Sequence, residues 1–169
     1  MKIDMPIIGN GDIASVLPER EDLVFFASGV SNSQEKRRSE YEREKALLLS
    51  QDRHRHIVYF GSLCIFYTDT LYAQHKKRME KVIKENFKHY TIVRLGNIAF
   101  GKNPHTLINF FRAKIEKGES FEIKDTYRYI IDKEEFLHWV NMIPTWNCEM
   151  NLTGRRMSIQ QIIDELCKR

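Results

Sequence analysis

The stretch Ile57-Val-Tyr-Phe-Gly-Ser-Leu-Cys-Ile-Phe-Tyr-Thr-Asp-Thr-Leu-Tyr-Ala-Gln-His-Lys-Lys-Arg78 decides how this chain is read. Ile57 to Phe60 is a short apolar run of β-branched and aromatic residues, the composition of a buried strand. Ser62 follows just past its carboxyl end. Tyr72 and Lys76 stand four apart at the start of a helical pattern, a spacing that stacks both side chains on one helix face.

That arrangement suits hydride transfer at a carbinol. A free tyrosine ionises at about pH 10, and an ammonium beside the phenol favours the phenolate and lowers that value. Tyr72 then takes the hydroxyl proton while hydride leaves, and Ser62 holds the same oxygen. The plainer reading makes Tyr72 a helix-start aromatic and Lys76 a solvated charge, because Tyr-x-x-x-Lys recurs by chance.

Upstream, Met5-Pro-Ile-Ile8 reads as a short strand running into Gly9-Asn-Gly-Asp-Ile-Ala14, with Ile13 to Leu17 opening a helix. In such a G-x-G-x-x-A pattern the glycines permit a tight turn and let backbone amides approach a pyrophosphate at a helix N-terminus. An ordinary strand-to-helix turn is the alternative.

Strand, Ser62, Tyr-x-x-x-Lys helix and then Tyr90-Thr-Ile-Val-Arg-Leu-Gly-Asn97 together resemble the short-chain dehydrogenase/reductase superfamily. Within it the chain is similar to the extended branch, the NAD-dependent epimerase/dehydratase family acting on nucleotide sugars. Ile57 to Phe66 is similar to that family's strand ending in Ser-Ser-x-x-Val-Tyr, and Val93 to Asn97 to its Arg-x-x-Asn segment. Leu23-Val-Phe-Phe-Ala-Ser-Gly29 is similar to the family's fourth strand, which runs beside the cofactor. The resemblance implies Ser62, Tyr72 and Lys76 as catalytic residues and NAD or NADP as cofactor. It places that cofactor against Gly9, Gly11, Asp12, Ile13, Ala14, Ala27, Ser28 and Gly29, as well as Tyr72 and Lys76, and the substrate against Asn97. Tyr127-Arg-Tyr-Ile-Ile-Asp132 resembles the segment whose arginine clamps a nucleotide diphosphate. Arg128 fits that task because a guanidinium fork meets phosphate oxygens two at a time; a surface salt bridge is its other reading.

The departures from the family matter as much. Pro18-Glu-Arg-Glu-Asp22 leads straight into Leu23, so the second and third strands are missing, along with the acidic residue that reads the adenosine ribose. The first strand then becomes a sheet edge, where Pro6 is acceptable although it cannot donate to a ladder. Such an edge calls for cover by a loop, a partner chain or the N-terminal residues. Ser62 and Tyr72 are ten apart where the family inserts some two dozen residues, so substrate walls are lost.

The expected fold is α/β: a reduced Rossmann-like doubly wound parallel sheet, as one domain over residues 1–169. Residues 98–169 are expected to form most of a small substrate lobe. Expected elements there are a helix from Thr106 to Lys117 closed by Gly118, strands at Phe121–Lys124 and Tyr129–Ile131, and a helix from Lys133 to Met142. Met150 to Gly154 leads to Ser158, an N-cap for a helix over Ile159–Leu166. A helix covers Lys36–Ser50, and the resemblance implies a homodimer through helices 36–50 and 71–87. In the second of these, Tyr72, Met79, Val82, Ile83 and Phe87 form an apolar stripe, which reads chiefly as core.

Bulk properties bound the function. With 169 residues, 42% hydrophobic and 30% charged, the chain is large enough for a proper core. No apolar run approaches membrane-spanning length, and no signal-peptide pattern opens the chain. Cys64, Cys148 and Cys167 have neither disulfide-framework nor zinc spacing, which points to reduced thiols, no metal and a cytoplasmic setting. The net charge of +4 and the basic clusters at 36–38, 53–56 and 75–78 suit a solvated face or an anionic nucleotide better than nucleic acid. Leu63-Cys64 does not supply the Asp-Glu pair of the family's dehydratases, which leaves sugar epimerisation or keto reduction. The competing function is a non-catalytic module of the same fold that binds a nucleotide or a protein.

Overall fold

A computed structural model describes residues 6–168. Its main layer is a five-stranded, all-parallel sheet built from β1 (Ile7–Ile8), β2 (Val24–Phe26), β3 (Ile57–Ser62), β4 (Tyr90–Leu95) and β7 (Cys148–Leu152), in that spatial order. The two strands absent from the sequence pattern are absent from the sheet, and β1 lies at its edge as Pro6 implies. Pro6 contributes only its carbonyl, which accepts from Phe25 N at 2.7 Å. Met5, assigned from sequence to the first strand, lies outside the described residues.

Strand β3 shows why the layers form. Ile57 and Tyr59 face one side, Val58 and Phe60 the other, and all four are buried. A strand covered on both faces needs this continuous apolar run. On the first side, Ile57, Tyr59, Val24, Phe26 and Ile92 pack against Leu48 of α1 (Arg38–Leu49) and Met79, Ile83 and Phe87 of α2 (Leu71–Asn86). On the second, Val58, Phe60, Phe25, Val93 and Leu95 meet Phe136 and Val140 of α4 (Lys133–Asn141). Burying each such side chain contributes about 1.5–3 kcal/mol, so this sandwich dominates the fold's stability. The stripe of α2 is core at Met79, Ile83 and Phe87. Tyr72 leaves it and turns to the cleft described below.

A second, three-stranded sheet joins β5 (Asn97–Ile98), β6 (Tyr127–Ile131) and β8 (Arg155–Ser158), with β5 parallel and β8 antiparallel to β6. Ile130 and Met157 of this sheet pack with Ile108 and Phe111 of α3 (Leu107–Glu116) and Ile162 and Ile163 of α5 (Ile159–Cys167). Ser158 caps α5 in a reciprocal capping box with Gln161, and Gly118 closes α3 at φ +63°. Residues beyond Asn97 therefore divide. Segments 97–131 and 155–167 build the small lobe, while α4 and β7 belong to the main layer.

Two expectations are corrected, and one strand is new. Ile13 to Leu17 does not open an α-helix; it makes a single 3₁₀ turn at Ala14–Val16. Pro18 forces Leu17 into extended backbone, and with no second strand to reach, the chain has no span left to fill with helix. Phe121–Lys124 is not a strand. Glu122, Ile123 and Lys124 are exposed, and Phe121 instead packs against Phe111. Strand β7 has no counterpart in the sequence reading, because Glu149 and Asn151 face solvent on a sheet edge and dilute the apolar signal.

Candidate active site

At the carboxyl ends of β1 to β4 the loops enclose a cleft of about 1060 Å³. Ligands of open parallel sheets bind at this place, because the loops diverge there. Asn10 to Ile13 follow β1, Ala27 to Gln34 follow β2, Ser62 ends β3, and Gly96 and Asn97 follow β4. The N-terminus of α3 and Arg128 of β6 close the far side.

Of the residues singled out from sequence, Gly11, Asp12, Ile13, Ala27, Ser28, Gly29, Ser62, Tyr72, Lys76, Asn97 and Arg128 all line this cleft. Gly9 and Ala14 are not in its wall. Gly9 holds φ +126°, and a Cβ there would stand 2.3 Å from the carbonyl oxygen of Ala27, so it serves the close pairing of β1 with β2. Ala14 is buried within the 3₁₀ turn.

The link from Ser62 to Tyr72 is short but structured. Leu63–Phe66 form a 3₁₀ turn, the Ser62 Oγ accepts from Cys64 N at 3.2 Å, and Thr70 caps α2 by accepting from Ala73 N at 3.1 Å. Ser62 and the first turn of α2 thereby reach the same cleft without the family's longer loop. Phe66, Tyr67 and Leu71 are left more than half exposed along the link.

Lys76 is 2% exposed, and its ammonium is held from behind. Its Nζ donates to Glu44 Oε1 and to Tyr59 Oη, each at 3.2 Å, and lies 5.4 Å from the centre of the Tyr72 ring. Glu44 on α1 is fully buried. Beyond Lys76 it accepts from Tyr59 Oη at 2.6 Å, Val30 N at 2.9 Å and His75 Nε2 at 2.8 Å. Burial opposes ionisation of this carboxyl, yet the Lys76 charge and the three other donors outweigh it and hold Glu44 well below the usual carboxylate range. Burial likewise works against the Lys76 ammonium, but Glu44 outweighs it and raises the lysine.

The phenol behaves differently from the sequence argument. Burial pushes the half-buried Tyr72 up; Lys76 pulls it down without compensating, and Cys64, Glu44 and Tyr41 add to the rise. Burial therefore outweighs the lysine, and Tyr72 keeps its proton more firmly than a free tyrosine.

Asp12 performs a task the sequence did not foretell. Its carboxylate accepts from Lys102 N at 2.9 Å and Asn103 N at 2.8 Å, tying the glycine turn to the loop that enters α3. Gly101 makes room for it at φ +90°; a Cβ there would lie 2.1 Å from Asp12 Cγ. Asn97 Nδ2 donates to Tyr129 O at 3.2 Å, and Arg128 donates to Tyr127 O at 2.9 Å. Among the described residues Arg128 makes no salt bridge, so its guanidinium remains available to the cleft. Sequence reasoning missed Glu44, Tyr59 and Arg43, the last lying in the cleft wall with both terminal nitrogens on Ser28 O at 3.1 Å. No spacing rule marks a lone glutamate in a charged helix, or its contact with a lysine 32 residues away, so these had no sequence signal.

No protein-family model matches this chain, and no curated protein matches it. Solved structures do match. UDP-glucuronic acid 4-epimerase from Bacillus cereus, a mutant in complex with NAD and a fluorinated UDP-sugar, superposes at TM-score 0.68 with 11% identity, covering 87% of this chain and 59% of that one. The Bordetella bronchiseptica enzyme WbmG in complex with NAD gives 0.57 and 19% identity over 67% and 42%. UDP-glucose 4-epimerase from Thermus thermophilus in complex with NAD gives 0.58 and 14% over 76% and 53%. The chain spans about half the length of these proteins. Its fold is the Rossmann-like fold of these enzymes, in a shortened form with a five-stranded parallel sheet.

Proposed function

We propose that this chain belongs to the NAD-dependent epimerase/dehydratase family and acts on a nucleotide-activated sugar as an NAD- or NADP-dependent epimerase or ketoreductase. The observation that carries the reading is that Ser62, Tyr72, Lys76, Asn97 and Arg128, drawn from separate elements, open on one cleft at the strands' carboxyl ends. The residues present fit the nicotinamide-ribose end of such a cofactor. Ala27, Ser28 and Gly29 offer a floor, and Gly11 has no atom within 4 Å of where a Cβ would stand, which leaves its backbone open to a ligand. On the adenosine side the cleft runs out at the sheet edge formed by β1.

When bound, the nicotinamide supplies hydride acceptance and donation. The chain's own part is proton transfer and positioning. Tyr72 Oη passes a proton to or from the sugar oxygen, and Ser62 Oγ donates to that same oxygen. Lys76, from the turn after Tyr72, offers its remaining hydrogen to the ribose. Arg128 meets the diphosphate in bidentate fashion, and Asn97 orients the sugar. Residues 97–131 and 155–167 serve as the substrate lobe. A homodimer through α1 and α2 would join faces that carry Arg38, Glu42, Lys45, Lys77, Arg78 and Lys81, five cations to one carboxylate, so its association would strengthen as salt screens their repulsion.

A second reading, a non-catalytic nucleotide- or protein-binding module, is favoured by the missing adenosine-side strands and by the engagement of Asp12 with the 102–103 backbone. Calorimetry with NAD(H) and NADP(H), with and without UDP-sugars, separates the two. The enzymatic reading expects dinucleotide binding that tightens with a sugar nucleotide; no binding up to about millimolar concentration, weaker than any ordinary cofactor affinity, removes it. Once turnover is found, Tyr72→Phe is expected to abolish it while leaving the circular dichroism spectrum and denaturation midpoint unchanged; undiminished turnover removes Tyr72 from the chemistry.

A further inference from the structure

The wall of the cleft behind Gly29 contains a charge that the reaction scheme above does not use. Glu44 is buried on α1, and Gly29, which lines the cleft, lies directly over it. A Cβ on Gly29 would stand 2.8 Å from Lys76 Nζ and 3.1 Å from Glu44 Oε1. The absent side chain at position 29 is what lets the ion pair approach the cleft. All four lone-pair directions of the carboxylate are filled, by Val30 N from the β2 loop, Tyr59 from β3, and His75 and Lys76 from α2. Lys76 in turn spends two of its three hydrogens on Glu44 and Tyr59. Its direction is thus set by a buried shell that leaves one ammonium hydrogen free for the cleft.

We propose that Glu44 is the positioning residue of this cleft: its buried carboxylate fixes Lys76 beneath Gly29 and neutralises it, so that lysine acts as one aimed hydrogen-bond donor rather than as a free cation. The other ionisable groups facing the pair are His75, Tyr59, Tyr72, Cys64 and Tyr41, which packs on His75 at 4.5 Å between ring centres. Lys76 is the cation in direct contact with the Glu44 carboxylate, with His75 and Tyr59 as its other titratable donors. Fixing an ammonium this way removes the reorganisation a flexible lysine would undergo as a ligand arrives. The inference deepens the proposed function and rests on it only for what occupies the cleft.

The test is trace acetylation of the intact chain across pH, with the rate at Lys76 read by mass spectrometry against exposed Lys81. Glu44→Gln is expected to move the pH midpoint of Lys76 labelling down and to make labelling at about pH 8 roughly tenfold faster, the effect of losing one contact charge. Glu44→Asp, which keeps the charge, is expected to hold the midpoint near that of the parent. Mere loosening of the fold would raise the rate at every pH and leave the midpoint in place; that result, or no change, overturns the proposal. If Glu44→Gln does not fold, the pair Glu44→Gln with Lys76→Met decides. Recovery of a cooperative unfolding transition in the double variant supports the coupling, and no recovery overturns it. A shifted midpoint in a protein that binds no dinucleotide would uphold the role of Glu44 while removing the enzymatic reading, so the two failures are distinguishable.

Discussion

Two parts of the cleft wall carry family-like motifs, and they differ in what holds them. Behind Gly29, Lys76 sits in a buried shell with Glu44, Tyr59, His75 and the Val30 amide, where every polar group has a partner. At the turn Gly9–Ala14 the G-x-G-x-x-A pattern is intact, yet it leads into one 3₁₀ turn at a sheet edge, and Asp12 is engaged with backbone of the small lobe. The first region is overdetermined by tertiary contacts; the second keeps the letters of a motif in an altered setting. A motif therefore reports a local backbone shape, and its chemistry depends on the elements around it.

Breaking the shell behind Gly29 should have the largest effect. Lys76→Met strands the Glu44 carboxylate in the interior, and a loss of about 3–5 kcal/mol is expected by urea denaturation. A loss below about 1 kcal/mol, the range of exposed pairs, would mean that water reaches Glu44. On the other side of the comparison, Gly9→Ala places a Cβ against the Ala27 carbonyl at φ +126°, and a cost of about 1–3 kcal/mol should appear as a lower denaturation midpoint. An unchanged midpoint would show that β1 does not need its close approach to β2.

Acid sharpens the contrast. The folded state holds the Glu44 carboxyl below its ordinary value of about 4.5, so its stabilisation is complete above that pH and is lost as pH falls further towards the lowered folded value. The stability difference between the parent and Glu44→Gln should accordingly narrow between about pH 5 and pH 3. A difference that stays constant would place the effect of Glu44 in packing rather than charge. Smallest of all, Gly11→Ala meets no atom within 4 Å and should change stability by no more than about 0.5 kcal/mol. If it nonetheless weakens dinucleotide binding in calorimetry, the turn approaches the ligand as a pyrophosphate cradle would.

Much of the architecture is legible in the order of the residues. The apolar run Ile57–Phe60, the helix from Leu71, the edge position implied by Pro6 and the Ser158 cap are local signals, and each appears where the pattern places it. What escapes such reading is non-local. The 3₁₀ turn after Ile13 follows from Pro18 combined with a missing strand, and β7 is recruited by pairing with β4 although its own residues alternate with polar ones. The lowered phenol expected from Tyr-x-x-x-Lys also fails for a non-local reason. Taken by itself the pair omits the burial of the phenol, which outweighs the lysine, and the Glu44 carboxylate from a helix 32 residues earlier, which adds to the rise.

By itself the sequence determined which residues alternate, cap, turn and bury, and so the parallel sheet and the helices that cover it, because periodicity and propensity act over a few residues at a time. Only the tertiary structure decided the charge state of the cleft and the duties of Asp12, Gly29 and Glu44. Electrostatic energy and steric exclusion depend on distance in space, and no spacing along the chain encodes the 3.2 Å between Glu44 and Lys76.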